Sequence, residues 1–267
     1  MKHALWLRLL GRLTAARTRL QVIDTHAGAG LYDLNDAMAK RSREADAGIV
    51  RLMADDAAPA VFAPLKAAVR ALNGVGGLRL YPGSPLLTVT ALRKGDRYIG
   101  CELRPDDQAG LQAVLDERTP AAGAQARALL ADGYGELAAG DADRRPVYLI
   151  DPPFERGDEY AQIIAGVDHA LAARPDAIFA IWAPLKDLET FDALLRGLEL
   201  LEPLSLLVVE ARLRPLLDPM KMNGTAMVLI GAPDVEDLAI EAKIIADWVV
   251  GACGEAGGKA RVHNLSA

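Results

Sequence analysis

The apolar positions Leu5, Trp6, Leu9, Leu10 and Leu13 recur at helical spacing, which predicts an amphipathic helix over residues 3–16. The pattern then changes. Leu20-Gln21-Val22-Ile23 reads as a short strand ending at Asp24, and further apolar runs of strand length lie at 98–101, 126–130, 147–150, 177–182, 204–209 and 226–230. Helix-period stretches at 107–117, 159–172, 185–196 and 235–250 fall between most of them. Strands alternating with helices predict an α/β fold whose sheet is mostly parallel and covered on both faces. The last two strands are separated only by the loop 210–224, so they are expected to form an antiparallel hairpin. The expected sheet has seven strands, the last antiparallel.

One spacing departs from a simple alternation. A glycine-containing loop occupies 24–30, yet the next strand that ends in an acid stops only at Glu102. In dinucleotide-type folds that distance is ~20 residues. The interval holds helix-like stretches at 40–53 and 61–72, then a turn-rich segment at 74–85. A small helical insertion over 36–80 is therefore expected, within a main body formed by 1–35 and 81–267.

The chain has 267 residues, 51% of them hydrophobic, enough to bury a full core. No apolar run approaches the ~18 residues of a membrane span. The N-terminal run is broken by Arg8 and Arg12 and has no small-residue cleavage site after it, so it reads as a helix and not a signal peptide, with no membrane partner expected. The two cysteines, Cys101 and Cys253, form no C-x-x-C and have no nearby His pair. Neither a metal site nor a disulfide framework is expected, and the cytoplasm is the natural compartment. His169 and His263 lack any chemical context and are assigned to structure, as are Trp6, Trp182 and Trp248.

A net charge of −6 argues against a non-specific nucleic-acid binder. The charge is unevenly spread, however. Lys2, Arg8, Arg12, Arg17 and Arg19 open the chain without an acid among them, and basic residues recur at Arg41, Arg43, Arg51, Arg212, Arg214 and Lys221. These are either solvated helix faces or a discontinuous rim for phosphates.

Four strand ends carry candidate chemistry. Gly28 and Gly30 in Asp24-Thr25-His26-Ala27-Gly28-Ala29-Gly30 let backbone approach a ligand closely. Glu102 is placed to accept from a ribose diol, and Asp132-Gly133 to hold an adenine. Asp151-Pro152-Pro153-Phe154 follows a buried strand as a stiff acidic loop. Its prolines lack N–H groups, so it offers a carboxylate, outward carbonyls and a flat ring, which suit a planar amine. Taken singly, each is equally readable as a loop residue or a tight turn.

Their order resembles the layout of S-adenosylmethionine-dependent methyltransferases of the Rossmann-like class I fold, and the last resembles the [DNS]-P-P-[YFW] signature of enzymes that methylate exocyclic amines. Together with Tyr81-Pro82-Gly83-Ser84-Pro85 and Glu102-Leu103, these segments resemble the RlmJ family of 23S rRNA (adenine-N6)-methyltransferases, from Lys2-His3 to the last strands. The resemblance implies that His3, His26, Gly28, Ser84, Glu102, Asp132, Gly133 and Asp151 contact S-adenosyl-L-methionine. It makes Asp151 the catalytic residue, with Pro152 and Phe154 holding the base. The implied partner is 23S rRNA, free or partly assembled, and the protein is expected to be a monomer. Family members carry a His- and Asn-containing segment ahead of the Lys-His pair. Met1 stands at that junction, which points to a misassigned start or a shortened chain. Phe154 replaces a commoner Tyr, so stacking is kept and a hydroxyl contact is lost. Three other readings stay open: a DNA adenine methyltransferase, a non-catalytic RNA-binding or cofactor-sensing protein, and a nucleotide-dependent dehydrogenase. The last fits poorly, because the third glycine of the fingerprint is missing.

Overall fold

The structure is a computed structural model that describes residues 1–35, 46–74, 77–120, 123–138, 140–218 and 220–265. Helix α1 (Lys2–Ala15) buries Ala4, Leu5, Trp6, Leu9, Leu10 and Leu13 along one stripe, as the spacing predicts. Strand β1 (Leu20–Asp24) is buried at every residue. There follow β2 (Leu31–Asp33), α2 (Arg51–Ala54), α3 (Ala63–Asn73), β3 (Leu80–Pro82), α4 (Ser84–Ala91), β4 (Arg97–Glu102), α5 (Pro105–Arg118), β5 (Gln125–Leu130) and β6 (Arg145–Ile150). The remainder comprises α6 (Glu159–Ala173), β7 (Ile178–Leu185), α7 (Leu188–Glu199), β8 (Leu206–Arg212), β9 (Gly224–Ile230), α8 (Val235–Cys253) and β10 (Lys259–Asn264).

The main sheet runs β10-β8-β9-β7-β6-β1-β4-β5. The pairs β6–β7, β6–β1, β1–β4 and β4–β5 are parallel, whereas β7–β9, β9–β8 and β8–β10 are antiparallel. Alternate residues of each strand feed opposite faces. Val147 and Leu149 of β6 join α1, α4, α5 and α8, while Tyr148 and Ile150 join α6 and α7. Two apolar layers on one sheet explain why the central strands read as unbroken hydrophobic runs.

All seven expected strands are present, with the expected antiparallel hairpin. An eighth, β10, was not expected. Its sequence Lys-Ala-Arg-Val-His-Asn is polar because it is an exposed edge, which a pattern based on burial passes over. The short ribbon β2–β3, with Tyr32 opposite Tyr81, was missed for its length. Helix α4 was missed because its first six residues are all buried, so Ser-Pro-Leu-Leu-Thr-Val shows no amphipathic period.

The helix expected at 40–53 is described only from Asp46 onward. Its earlier part, with Arg41 and Arg43, lies outside the described residues. The segment 55–62 is fixed to α8, where Trp248 packs edge-on to Phe62 at 5.0 Å and donates to Asp55 at 2.7 Å.

Candidate active site

The chain reverses its direction of sheet growth between β1 and β6, since β4 and β5 add on one side of β1 and β6 on the other. Ligands of open α/β sheets bind beyond the carboxyl ends of strands at such a switch. Asp24 ends β1, Glu102 ends β4, Asp132 follows β5 and Asp151 follows β6. Four acids therefore stand on four adjacent strands at one edge of the sheet.

Asp24 is fully buried. Tyr98 donates its hydroxyl to Oδ2 at 3.2 Å, and Oδ1 has no hydrogen-bond partner. Burial pushes its carboxyl up to about 7, opposed by the nearby Ser84 and Tyr98 hydroxyls and by Lys2, and reinforced by Asp151. Beyond it the glycine loop turns through left-handed backbone at Gly28 (φ 68°) and Gly30 (φ 73°). A Cβ on Gly28 would stand 2.4 Å from the Tyr32 hydroxyl. The Gly28 N–H donates to Glu102, so this carboxylate braces the glycine loop as well as facing the ligand side. Ser84 opens α4 as a buried residue, and Gly83 N–H donates to the Gly30 carbonyl at 2.8 Å, docking the Pro-Gly-Ser-Pro turn onto the same loop.

Both histidines named from the sequence have polar neighbours in this part of the fold. His3 Nδ1 lies 2.6 Å from the Tyr81 hydroxyl, while its Nε2 is buried without a partner. Burial, then Lys2, hold its pKa well below the ordinary value, which favours the neutral imidazole. His26 Nδ1 meets the Thr25 hydroxyl at 2.8 Å, and its ring stands edge-on to Tyr134 at 5.1 Å. Burial lowers its pKa too, against the pull of Glu159 and Asp132. Asp132 accepts the Tyr134 N–H at 3.0 Å. Gly133 lies flat on β1, and a Cβ there would come within 2.1 Å of the Thr25 carbonyl oxygen.

Asp151 forms an ion pair with Lys2, whose ammonium also sits 5.9 Å above the Trp182 ring. Burial raises the Asp151 pKa and Lys2 opposes it, so the lysine favours the ionised form of a desolvated carboxylate. Pro152 is buried. Phe154 has φ 52°, an uncommon left-handed conformation for a bulky residue, and such strain gathers at functional loops. Its ring rests against Tyr160 at 5.2 Å and Trp182 at 5.7 Å.

The sequence reading named Asp24 and Lys2 within its motifs but gave no individual role in this site to Lys2, Asp24, Tyr134, Glu159 or Trp182. Asp24 could have been found from its place directly before the glycine loop. Trp182, expected as a packing residue, does pack against the core and also lies beside Phe154, with its indole N–H on Thr225 at 2.5 Å. Trp6 and Trp248 do pack as expected. His263 lies 3.5 Å from Glu210 on the edge strand, far along the sheet from the four acids. A cavity of about 450 Å³, bounded by His3, Tyr32, Tyr81, Phe62 and Trp248, opens beside the glycine loop.

The basic residues readable either as solvated faces or as a phosphate rim are largely engaged. Arg8 and Arg12 pair with Glu241, Arg19 with Asp143, Arg212 with Glu210, Arg214 with Glu255 and Lys221 with Asp218. Arg51 donates to the Ala252 carbonyl. Among the described residues, no group of His, Cys, Asp and Glu side chains is arranged to hold a metal, and no helix is long and apolar enough to cross a membrane.

The model of the family described as RsmJ, ribosomal RNA large subunit methyltransferase D, RlmJ, matches residues 17–265. Ribosomal RNA large subunit methyltransferase J of Escherichia coli (strain K12) is 30% identical over 235 residues, covering 87% of this chain and 82% of the relative. Its namesake in Haemophilus influenzae is 28% identical over the same shares. The crystal structure of a Legionella pneumophila protein superposes with a TM-score of 0.87 at 25% identity, covering 98% of this chain and 94% of that one. With a family match over nearly its whole length, and with the family's strand-end acids gathered at one switch point, the chain belongs to the RlmJ family of large-subunit ribosomal RNA methyltransferases.

Proposed function

We propose that this protein transfers a methyl group from S-adenosyl-L-methionine to the exocyclic N6 of an adenine in 23S rRNA, acting as a cytoplasmic monomer on free or partly assembled RNA. The observation that carries the reading is Asp151-Pro152-Pro153-Phe154 at the switch point, with a desolvated carboxylate on one side and a part-buried ring resting against Tyr160 and Trp182 on the other. In this reading residues 1–35 and 81–267 form the catalytic body, and 36–80 an insertion beside its entrance.

The residues fit the cofactor. Asp24 Oδ1 and His3 Nε2 are buried polar atoms lacking partners, and a side chain at Gly28 would collide with Tyr32 beside the loop. Asp24 and His3 would meet the amino-acid end, Gly28 and His26 would line its path, Glu102 the ribose, and Asp132 with Gly133 the adenine. Ser84 would approach the same amino-acid end. The cofactor, when bound, supplies an electrophilic methyl group.

This chain's own residues then have to present the amine. Adenine N6 is a weak nucleophile because its lone pair is delocalised into the ring. Asp151 and the Pro152 carbonyl accept its two N–H hydrogens, which favours a more pyramidal nitrogen with its lone pair directed at the methyl. Phe154 stacks on the base and offsets part of the few kcal/mol needed to turn it out of the RNA. Alignment of the reacting atoms can contribute roughly 7–11 kcal/mol. Lys2 holds Asp151 ionised until the amine displaces it, and Asp151 then takes the released proton or passes it to water.

The test is transfer of labelled methyl to deproteinised 23S rRNA, with duplex DNA as the competitor. Wild-type protein should label rRNA alone, at N6 of adenine, and Asp151→Ala should lose at least 10³-fold in rate while binding the cofactor within a few-fold of wild type. Labelling of DNA in preference to rRNA would overturn the reading.

A further inference from the structure

Glu159 is the first residue of α6, and although a carboxylic acid it is only 4% exposed. Among the described residues it has no ion-pair partner. Tyr134 donates its hydroxyl to Glu159 Oε2 at 2.6 Å. The two residues belong to different halves of the site. Tyr134 directly follows Asp132-Gly133, and its own N–H is bound by the Asp132 carboxylate. Glu159 closes the loop that starts at Asp151, and its neighbour Tyr160 carries the ring of Phe154. The first turn of α6 thus touches the cofactor side through one residue and the target side through the next.

We propose that Tyr134 and Glu159 are positioning residues that lock the Asp132–Gly133 loop to the Asp151–Phe154 loop, so that filling the cofactor site orders the groups that receive the target amine. The proposal rests on the methyl-transfer reading of the site. Three further contacts make the loop around Tyr134 rigid enough to transmit position. Gly133 is seated on the Thr25 backbone, the Tyr134 ring abuts His26, and Leu137 fills the notch left by Gly166 of α6, where a Cβ would come within 2.2 Å. Apolar packing at Leu137 holds the two segments together without fixing an angle. The phenol–carboxyl bond is directional, and it lies at the end nearer the strand-end acids. The N-terminus of α6 favours an acid at Glu159, which helps explain how a buried carboxyl is tolerated there. Loss of the phenol donor leaves a buried acceptor unsatisfied.

The experiment follows hydrogen–deuterium exchange in the full chain with and without S-adenosylhomocysteine, alongside rRNA methylation kinetics. The variants are Tyr134→Phe, Glu159→Ala and Glu159→Gln. In the wild type the ligand should slow exchange both at 132–134 and at 154–158. Tyr134→Phe and Glu159→Ala should keep ligand affinity within about threefold and retain protection at 132–134, yet lose it at 154–158. Their kcat should fall about tenfold with the KM for cofactor little changed. Glu159→Gln, whose amide oxygen still accepts the phenol, should behave as wild type, and the Tyr134→Phe/Glu159→Ala double variant should lose no more than either single one. Full protection at 154–158 in Tyr134→Phe, additive losses in the double variant, or ligand-free loosening of both loops together would overturn the coupling. Wild-type protein that shows the coupled protection but leaves rRNA unlabelled would instead refute the functional reading alone.

Discussion

Asp24 shows how one buried group ties stability to ligand binding. Its carboxyl is raised by burial to about 7 in the folded chain, whereas the unfolded value is 3.8. The folded state therefore holds the extra proton. The resulting stability is fully present below the unfolded pKa and is lost as pH rises toward and through about 7. The unfolding free energy of wild type relative to Asp24→Asn should fall along that path by an amount on the order of 4 kcal/mol. Chemical denaturation at a series of pH values measures it. Ligand binding should have the opposite sign. A cationic amino group prefers the ionised carboxylate, so cofactor affinity should rise with pH, approaching tenfold per unit below about 7. Calorimetry at neutral pH in two buffers of different ionisation enthalpy should register proton release in wild type and little in Asp24→Asn. If affinity is flat with pH in both proteins, Asp24 is not a ligand contact.

At the scale of elements, α1 is the piece on which the entrance depends. It carries Lys2 and His3 at one end, and one turn on, Arg8 and then Arg12 grip Glu241 of α8. With Glu241 about one-fifth exposed, the network is screened, and Glu241→Ala should cost about 1 kcal/mol by chemical denaturation. Cofactor affinity should fall along with it, because the helix bearing His3 loses its lateral brace. Unchanged affinity would show that apolar packing alone sets the position of α1. The legibility of the elements followed their chemistry. The central strands and α1 were readable because burial imposes a period or an unbroken apolar run. Strand β10 and helix α4 were not, the one because an exposed edge is polar and the other because a wholly buried helix has no polar face. The strand-end acids could be listed from sequence, and their order carried the resemblance. What the sequence could not show was side-chain pairing across long separations. Lys2 meets Asp151, Tyr134 meets Glu159 and Trp182 meets Phe154 only once the sheet brings β5, β6 and β7 together.

For the molecule as a whole, an acidic protein with an RNA substrate needs local cations, and most of the described candidates are spent on internal carboxylates. Phosphate contacts by Arg8, Arg212 or Lys221 must first break an ion pair. Binding of rRNA fragments should therefore show a shallow salt dependence, with a log–log slope between about −1 and −3, as for four or fewer phosphates on single strands. A slope steeper than about −5 would mean that these ion pairs open on binding. The position of β1 has a different consequence, in time instead of space. β1 is one of the earliest segments of the chain, yet both of its neighbours come late, β4 at 97–102 and β6 at 145–150. During synthesis its apolar residues wait for β4, and its second edge stays open until about residue 150 has emerged. Closing such long loops is slow, and exposed strands of this kind are aggregation-prone. Nascent chains shorter than that should depend on chaperones, and the residue that completes β6 is followed at once by Asp151, so β1 gains its second neighbour and the Asp151–Phe154 loop emerges in the same step.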